Sequence, residues 1–173
     1  IVIPARMGGK RLPNKPLLNI NKKPMLLHVW ELCKKVFSEK EIYVATEDDQ
    51  IVKFCNEYKI NTINTGNAPT AIYRIALFSN IIRAKNYIVV NGDEPLANIK
   101  DLKKIIKYGK KYPNRVAIGV GPCSEYKFKD KSKAKVVVSN SGRVLYTSRL
   151  SIPYNKKQYS NYGKSAIWYY SFN

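Results

Sequence analysis

The sequence predicts an α/β fold: a doubly wound, mostly parallel sheet with an antiparallel extension in its later part. Short aliphatic runs without polar alternation recur along the chain, as strands covered on both faces require. Amphipathic helical patterns separate them at crossover length, which makes the connections right-handed βαβ units. Late in the chain, two strand-like runs instead flank a short polar turn, the pattern of an antiparallel hairpin.

The first strand is "IVIP", Ile1 to Pro4, and a basic, glycine-containing loop follows it. From Pro24 to Phe37, Met25, Leu26, Val29, Trp30, Cys33, Val36 and Phe37 recur at helical spacing, with Pro24 suited to the first turn. "IYVAT", Ile42 to Thr46, is a second buried strand. A helix from Asp49 through Cys55 turns Ile51, Val52 and Cys55 inward, with Asp48 or Asp49 as its cap. A third helix fits Ala71 to Ile82, "YIVVN" (Tyr87 to Asn91) is a third buried strand, and a fourth helix fits Asp101 to Tyr108. After Arg115, "RVAIGVG" reads as a buried strand and "KAKVVVSNSGRVLYTSR" as a hairpin turning at "SNSG". No linker or repeat divides the chain, so residues 1–173 are expected to form a single domain. The chain opens inside a strand and stops at "WYYSFN" as another finishes. It therefore reads as a piece of a longer protein, without its first residues and a C-terminal part.

Composition limits the classes of function. With 173 residues and 45% apolar content, the chain can bury a substantial core, so disorder is not expected. Cys33, Cys55 and Cys123 lie far apart with no CxxC spacing, which argues against zinc or a disulfide framework and for a reducing compartment. No apolar run approaches the roughly 20 residues that span a bilayer, and no secretory leader is recognisable, so a cytoplasmic protein without a membrane partner is expected. Lys and Arg number 31 against 12 Asp and Glu, a formal charge of +19 that favours polyanions, nucleotides and nucleic acid alike. The excess is dispersed lysine in a chain also rich in Asn, Ile and Tyr, which biased codon usage explains as well as a functional basic surface does. Without a long basic run or aromatics interleaved with arginines, no nucleic-acid partner is expected, and a basic nucleic-acid-binding domain stands as the alternative from another class.

Ligands of open α/β sheets sit at the carboxyl ends of the strands. In the loop after the first strand, Gly8 and Gly9 let backbone amides approach an anion, while Arg6, Lys10, Arg11 and Lys15 supply charge. The composition is that of a phosphate-binding loop, although neither GxxxxGK[ST] nor GxGxxG is present. The third strand leads into "NGDEP", Asn91 to Pro95, where Asp93 follows a buried strand and is placed to hold a divalent cation against phosphate oxygens. Turn and cap roles for Asp93 and Glu94 are the structural alternative. His28, the single histidine, lies in the apolar "LLHVWEL" and reads as packed rather than catalytic. Cys33 and Cys55 read as small core residues, and Cys123 has no histidine to activate it. Tyr154, Tyr159, Tyr162, Tyr169 and Tyr170 can stack on bases or belong to strands and a dimer surface.

Four stretches, "IPARMGGKRLPNKPLLNINKKPMLLHVWE", "IYVATEDDQI", "VVNGDEPL" and "AKVVVSNSGRVLYTSRLSIPY", together resemble the CMP-KDO synthetase family, the 3-deoxy-manno-octulosonate cytidylyltransferases, in the same order and at similar spacing. The opening motif and GDEP are specific jointly at the superfamily level. "RLPxKPL", GDEPL and "LYxSRxxIPY" favour KDO-type enzymes over sialic-acid ones.

The resemblance implies a nucleotide-diphospho-sugar transferase-like fold and a reaction of CTP with an acidic eight-carbon sugar to give CMP-sugar and pyrophosphate. The sugar's anomeric hydroxyl attacks the α-phosphorus in line, without a covalent intermediate. It further implies Arg6, Lys15 and Asp93 as catalytic groups, with Asp93 binding Mg2+. Pro4, Ala5, Arg6, Gly9, Arg11, Lys15, Thr70 and Arg74 would bind nucleotide, and Asn91, Arg149 and Tyr169 would face the sugar. A homodimer is implied as well. The chain departs from the family at three places: "HxSGTDR" is "APTAIYR" (Ala68 to Arg74), the glutamine before GDEP is Asn91, and Ser165 stands where a sugar-contacting histidine would be. These changes leave the sugar open between KDO, a close analogue and a sialic-type acid. The family's second metal-binding aspartate lies beyond Asn173.

Overall fold

The computed structural model describes residues 1–9, 12–153 and 163–172, without the side chains of 167–169. In chain order the elements are β1 (Val2–Pro4), β2 (Asn19–Ile20), β3 (Lys23–Pro24), α1 (Met25–Lys34), β4 (Tyr43–Thr46), α2 (Asp49–Glu57), β5 (Asn61–Asn64), α3 (Ala71–Ile81), β6 (Tyr87–Val90), α4 (Ile99–Lys111), β7 (Ala117–Pro122), α5 (Glu125–Lys129), β8 (Lys135–Val138), β9 (Val144–Ser148) and β10 (Lys164–Phe172). They fall into two compact units, one of Ile1–Ala117 with Tyr169–Asn173 and one of Ile118–Trp168.

In the first unit β1 lies between β4 and β6, parallel to both, and β5 continues the parallel set beyond β4. The last residues of β10 pair antiparallel with β6, from Tyr169 opposite Val90 to Phe172 opposite Tyr87. Alternation along the strands sends side chains to two covered faces. Val2, Ala45, Tyr87 and Val89 pack against Ile75 and Phe78 of α3. Ile88 points the other way, toward Gly109 of α4, where the helix comes close to Ser171. This is the mostly parallel, doubly wound arrangement that the alternation of aliphatic and amphipathic segments predicts.

Several boundaries differ for physical reasons. The sequence reading omits β5, because "NTIN" is polar and half exposed; pairing with β4 and the Asn61 side-chain amide on the Ile42 carbonyl (3.3 Å) hold it in place. Pro24 ends the small β2–β3 hairpin and stands at the N-cap of α1 rather than inside its first turn. The fourth helix starts two residues early because Asn98 caps it, its Oδ1 accepting the Lys100 amide at 2.8 Å. Asp48 occupies the N-cap position of α2, but its carboxylate makes no bond to that helix.

The second unit holds the expected hairpin. β8 and β9 pair antiparallel, and the turn closes through the Ser139 amide on the Arg143 carbonyl (2.9 Å), with Gly142 at φ 83°. Lys164 and Ser165 of β10 pair with β8. "RVAIGVG" does form a strand, β7, but half-buried to exposed rather than buried. Among the described residues it pairs with β10 alone, as an edge strand does. No helix among the described residues is long and apolar enough to cross a membrane.

Candidate active site

The site is assembled where β1 and β6 end side by side. The Ala5 amide continues the ladder onto the Ala45 carbonyl (3.0 Å), and the chain then curls back on itself. The Gly9 and Asn14 amides both donate to the Met7 carbonyl, at 2.8 and 3.0 Å. A side chain at Gly9 would meet the Leu12 carbonyl at 2.7 Å, so the curl needs glycine there. Its amide is thus committed to the loop, whereas the sequence reading holds it open for an anion. Asn14 adopts a left-handed φ of 55° and delivers Lys15 into a single 3-10 turn.

The "NGDEP" segment lies directly against this loop. The Gly92 amide donates to the Pro4 carbonyl at 3.3 Å, and a Cβ at Gly92 would sit 3.0 Å from that same oxygen. Only a residue without a side chain brings the two backbones this close. Asp93 follows, and its Oδ2 accepts from the Lys15 ammonium at 2.6 Å. The pair is half exposed and joins groups 78 residues apart in sequence. The structure thus gathers Pro4, Ala5, Gly9, Lys15, Asn91 and Asp93 at one sheet edge. Arg6 is exposed on the same loop.

The end of β4 supplies two carboxylates that the sequence reading misses or assigns elsewhere. Asp48 Oδ2 accepts the Met7 amide at 2.9 Å, so the carboxylate fixes the basic loop. Glu47 faces the other way: Oε2 accepts the Ala68 amide at 3.1 Å, and Oε1 lies 3.2 Å from Arg74 Nη2 as an ion pair. Arg74 is almost fully buried and donates through Nη1 to Thr65 Oγ1 (2.8 Å) and the Gly66 carbonyl (3.2 Å). Thr70 caps α3, its Oγ1 accepting the Tyr73 amide at 3.1 Å. Both therefore hold the start of α3. The signal for Glu47 and Asp48 is present in "ATEDDQI", since acidic residues immediately after a buried strand meet the same placement rule as "NGDEP".

Arg149 belongs to the second unit, where its Nη1 donates to the carbonyls of Ser132 (2.8 Å) and Lys131 (3.5 Å). Arg11, Tyr154, Tyr159, Tyr162 and the Tyr169 side chain lie outside the described residues. Ser165 is buried in the second unit, its hydroxyl 3.4 Å from the Pro122 carbonyl. Tyr170 is half-buried against the core, its ring stacked on Phe172 with centroids 5.7 Å apart and burial pushing its phenol up to about 12.

Other chemistry-bearing residues have structural roles. His28 Nε2 bonds the Ile20 carbonyl at 2.8 Å, tying α1 to the β2–β3 hairpin. Burial pushes the Cys33 thiol up to about 12 and the Cys55 thiol to about 11, and it raises Cys123 too, so none is poised as a thiolate. No group of three His, Cys, Asp or Glu side chains among the described residues could hold a metal ion alone. One exposed carboxylate beside a cationic loop nevertheless fits magnesium, a hard ion commonly bound by one or two carboxylates plus substrate phosphates.

Comparison with known proteins shows which family the chain resembles. Residues 1–172 match the family model described as cytidylyltransferase. The chain is 35% identical over 162 residues to the 3-deoxy-manno-octulosonate cytidylyltransferase of Polynucleobacter necessarius subsp. necessarius, covering 89% of this chain and 63% of that protein. It is 31% identical over 180 residues to the 8-amino-3,8-dideoxy-manno-octulosonate cytidylyltransferase of Shewanella halifaxensis, covering 99% of this chain and 74% of that protein. Among solved structures, CMP:2-keto-3-deoxy-manno-octonic acid synthetase complexed with CTP matches with a TM-score of 0.90 at 31% identity, over 99% of this chain and 72% of that one. The chain thus spans just under two thirds of the first relative's length.

Proposed function

Because the chain belongs to the cytidylyltransferase family, we propose that the complete protein activates an acidic 3-deoxy sugar, KDO or a close analogue, with CTP, releasing CMP-sugar and pyrophosphate. The observation that carries this reading is the 2.6 Å contact between Lys15 and Asp93, which joins the basic loop to the "NGDEP" turn. A cation for phosphate oxygens and a carboxylate for a metal are then neighbours, as in-line attack on a triphosphate needs.

Lys15 and Arg6 offset charge on the triphosphate, backbone at Pro4 and Ala5 seats the nucleotide, and Gly9 keeps the loop in its curl. Asp93 would hold Mg2+, which when bound neutralises charge building on the phosphates. Thr70 and Arg74 shape the nucleotide side by fixing the start of α3, and Arg11 adds charge to the loop. For Asn91, Arg149 and Tyr169 as sugar contacts, the support is the sequence resemblance. A homodimer belongs to the same reading, supported by the exposed Leu145, Tyr146 and Leu150.

Pyrophosphate release by the complete protein, with CTP and a panel of KDO, 8-amino-KDO and a sialic-type acid, tests the reading and identifies the sugar. Asp93→Asn and Lys15→Ala are each expected to lower kcat/KM at least about a hundredfold, the scale of losing one preorganised charge contact. Unchanged turnover in both variants, or pyrophosphate release independent of any acidic sugar, overturns it.

A further inference from the structure

Lys135 is fully buried, an uncommon position for an ammonium group. All three of its N–H donors go to backbone carbonyls: Asp130 at 2.6 Å, Lys133 at 2.9 Å and Arg149 at 2.8 Å. The first two belong to the turn after α5, and the third follows β9. Arg149 grips the same turn with its guanidinium, Nη1 donating to the carbonyls of Lys131 and Ser132. Four successive carbonyls, residues 130 to 133, thus accept from two cations, one buried and one exposed. The Asp130 carboxylate braces the turn, Oδ1 accepting the Ser132 amide and Oδ2 its hydroxyl, each at 2.8 Å.

A buried ammonium bonded only to neutral carbonyls keeps a desolvation cost that an aliphatic side chain of similar volume avoids. Filling space therefore does not account for it. The ammonium does what no aliphatic group can: it fixes the main chain at Arg149 and organises the turn that holds the Arg149 guanidinium. We propose that Lys135 is a positioning residue for substrate, clamping Arg149 at its carbonyl directly and at its side chain through the 130–133 turn, so that the guanidinium is set for the carboxylate of the acidic sugar. The inference rests on the reading of Arg149 as a sugar contact. A bidentate guanidinium–carboxylate pair has narrow geometry, so a displaced Arg149 loses sugar affinity rather than nucleotide affinity.

The test is a double-mutant cycle in the complete protein, with KM measured separately for CTP and for the sugar acid turned over fastest. Arg149→Ala is expected to raise the sugar KM by a factor of about 10 to 100, and Lys135→Met by about tenfold, with the CTP KM moving less than about twofold. In the double variant the sugar KM should match that of Arg149→Ala alone, because Lys135 acts through Arg149. Asp130→Ala, a surface change that releases the brace, should give the same split at about threefold, and it carries the cycle if Lys135→Met does not fold. Effects that add, or that raise both KM values alike, overturn the positioning role. An Arg149→Ala variant with an unchanged sugar KM overturns the reading of Arg149 beneath it, a result the cycle keeps separate.

Discussion

The Asp48 carboxylate accepts the Met7 amide at 2.9 Å across 41 residues of sequence, so a side chain at the start of one helix sets the course of a much earlier loop. A charged acceptor on a partly buried amide contributes about 1.5–3 kcal/mol, enough to decide whether a short glycine-containing loop stays in one conformation. A second effect opposes it, because a carboxylate beside the loop proposed to bind the triphosphate would also repel that triphosphate. Ordering should win, since the repulsion acts through solvent at an exposed edge and is screened. Asp48→Ala is therefore expected to raise the CTP KM about tenfold, while Asp48→Asn, which keeps an acceptor without the charge, stays within about threefold of the parent. A fall in CTP KM for Asp48→Ala would mean that repulsion is the larger effect.

Between α4 and β10 the packing leaves no room for a methyl group at Gly109. An added Cβ there would run into Ser171 Oγ and lie 3.2 Å from Ser171 Cβ, with Ser171 fully buried. Alanine gains up to about 1 kcal/mol of helix propensity over glycine, but overpacking a closed contact costs about 1–3 kcal/mol. Gly109→Ala should thus be destabilising by roughly 1–2 kcal/mol in urea unfolding, and it should turn neutral or stabilising in a Ser171→Gly background. A stabilising effect in the parent would show that the helix moves away freely. This contact is invisible in "KYGKK", where periodicity marks only a helix with a weak residue. Elements were legible where local pattern decides them: aliphatic β1, β4 and β6, the amphipathic helices, and the "SNSG" hairpin. They were illegible where a neighbour decides, as for polar β5, which is a strand because β4 offers it a partner.

Over the whole molecule, the same division separates what the sequence shows of the site from what it hides. The basic loop and "NGDEP" are readable because each follows a buried strand and carries the charge its chemistry needs. Lys135 is not, because one lysine among 31 basic residues has no local mark of burial. Part of that surplus has a plain location: Lys100, Lys103, Lys104, Lys107, Lys110 and Lys111 line the solvent side of α4, opposite buried Leu102, Ile105 and Gly109. A solvated helix face of this kind reads no sequence in nucleic acid, yet a formal +19 still attracts every anionic substrate. The Debye length falls from about 14 Å at 0.05 M salt to about 4 Å at 0.5 M, so that attraction can be titrated. Over this range kcat/KM for CTP should fall about tenfold with kcat changing less than about twofold, because steering acts on encounter and not on the bound complex. Duplex DNA should be released near physiological salt, as nonspecific phosphate contacts are. A flat kcat/KM would mean the lysines are inert composition, and a DNA complex that persists well above physiological salt would mean the basic surface serves nucleic acid.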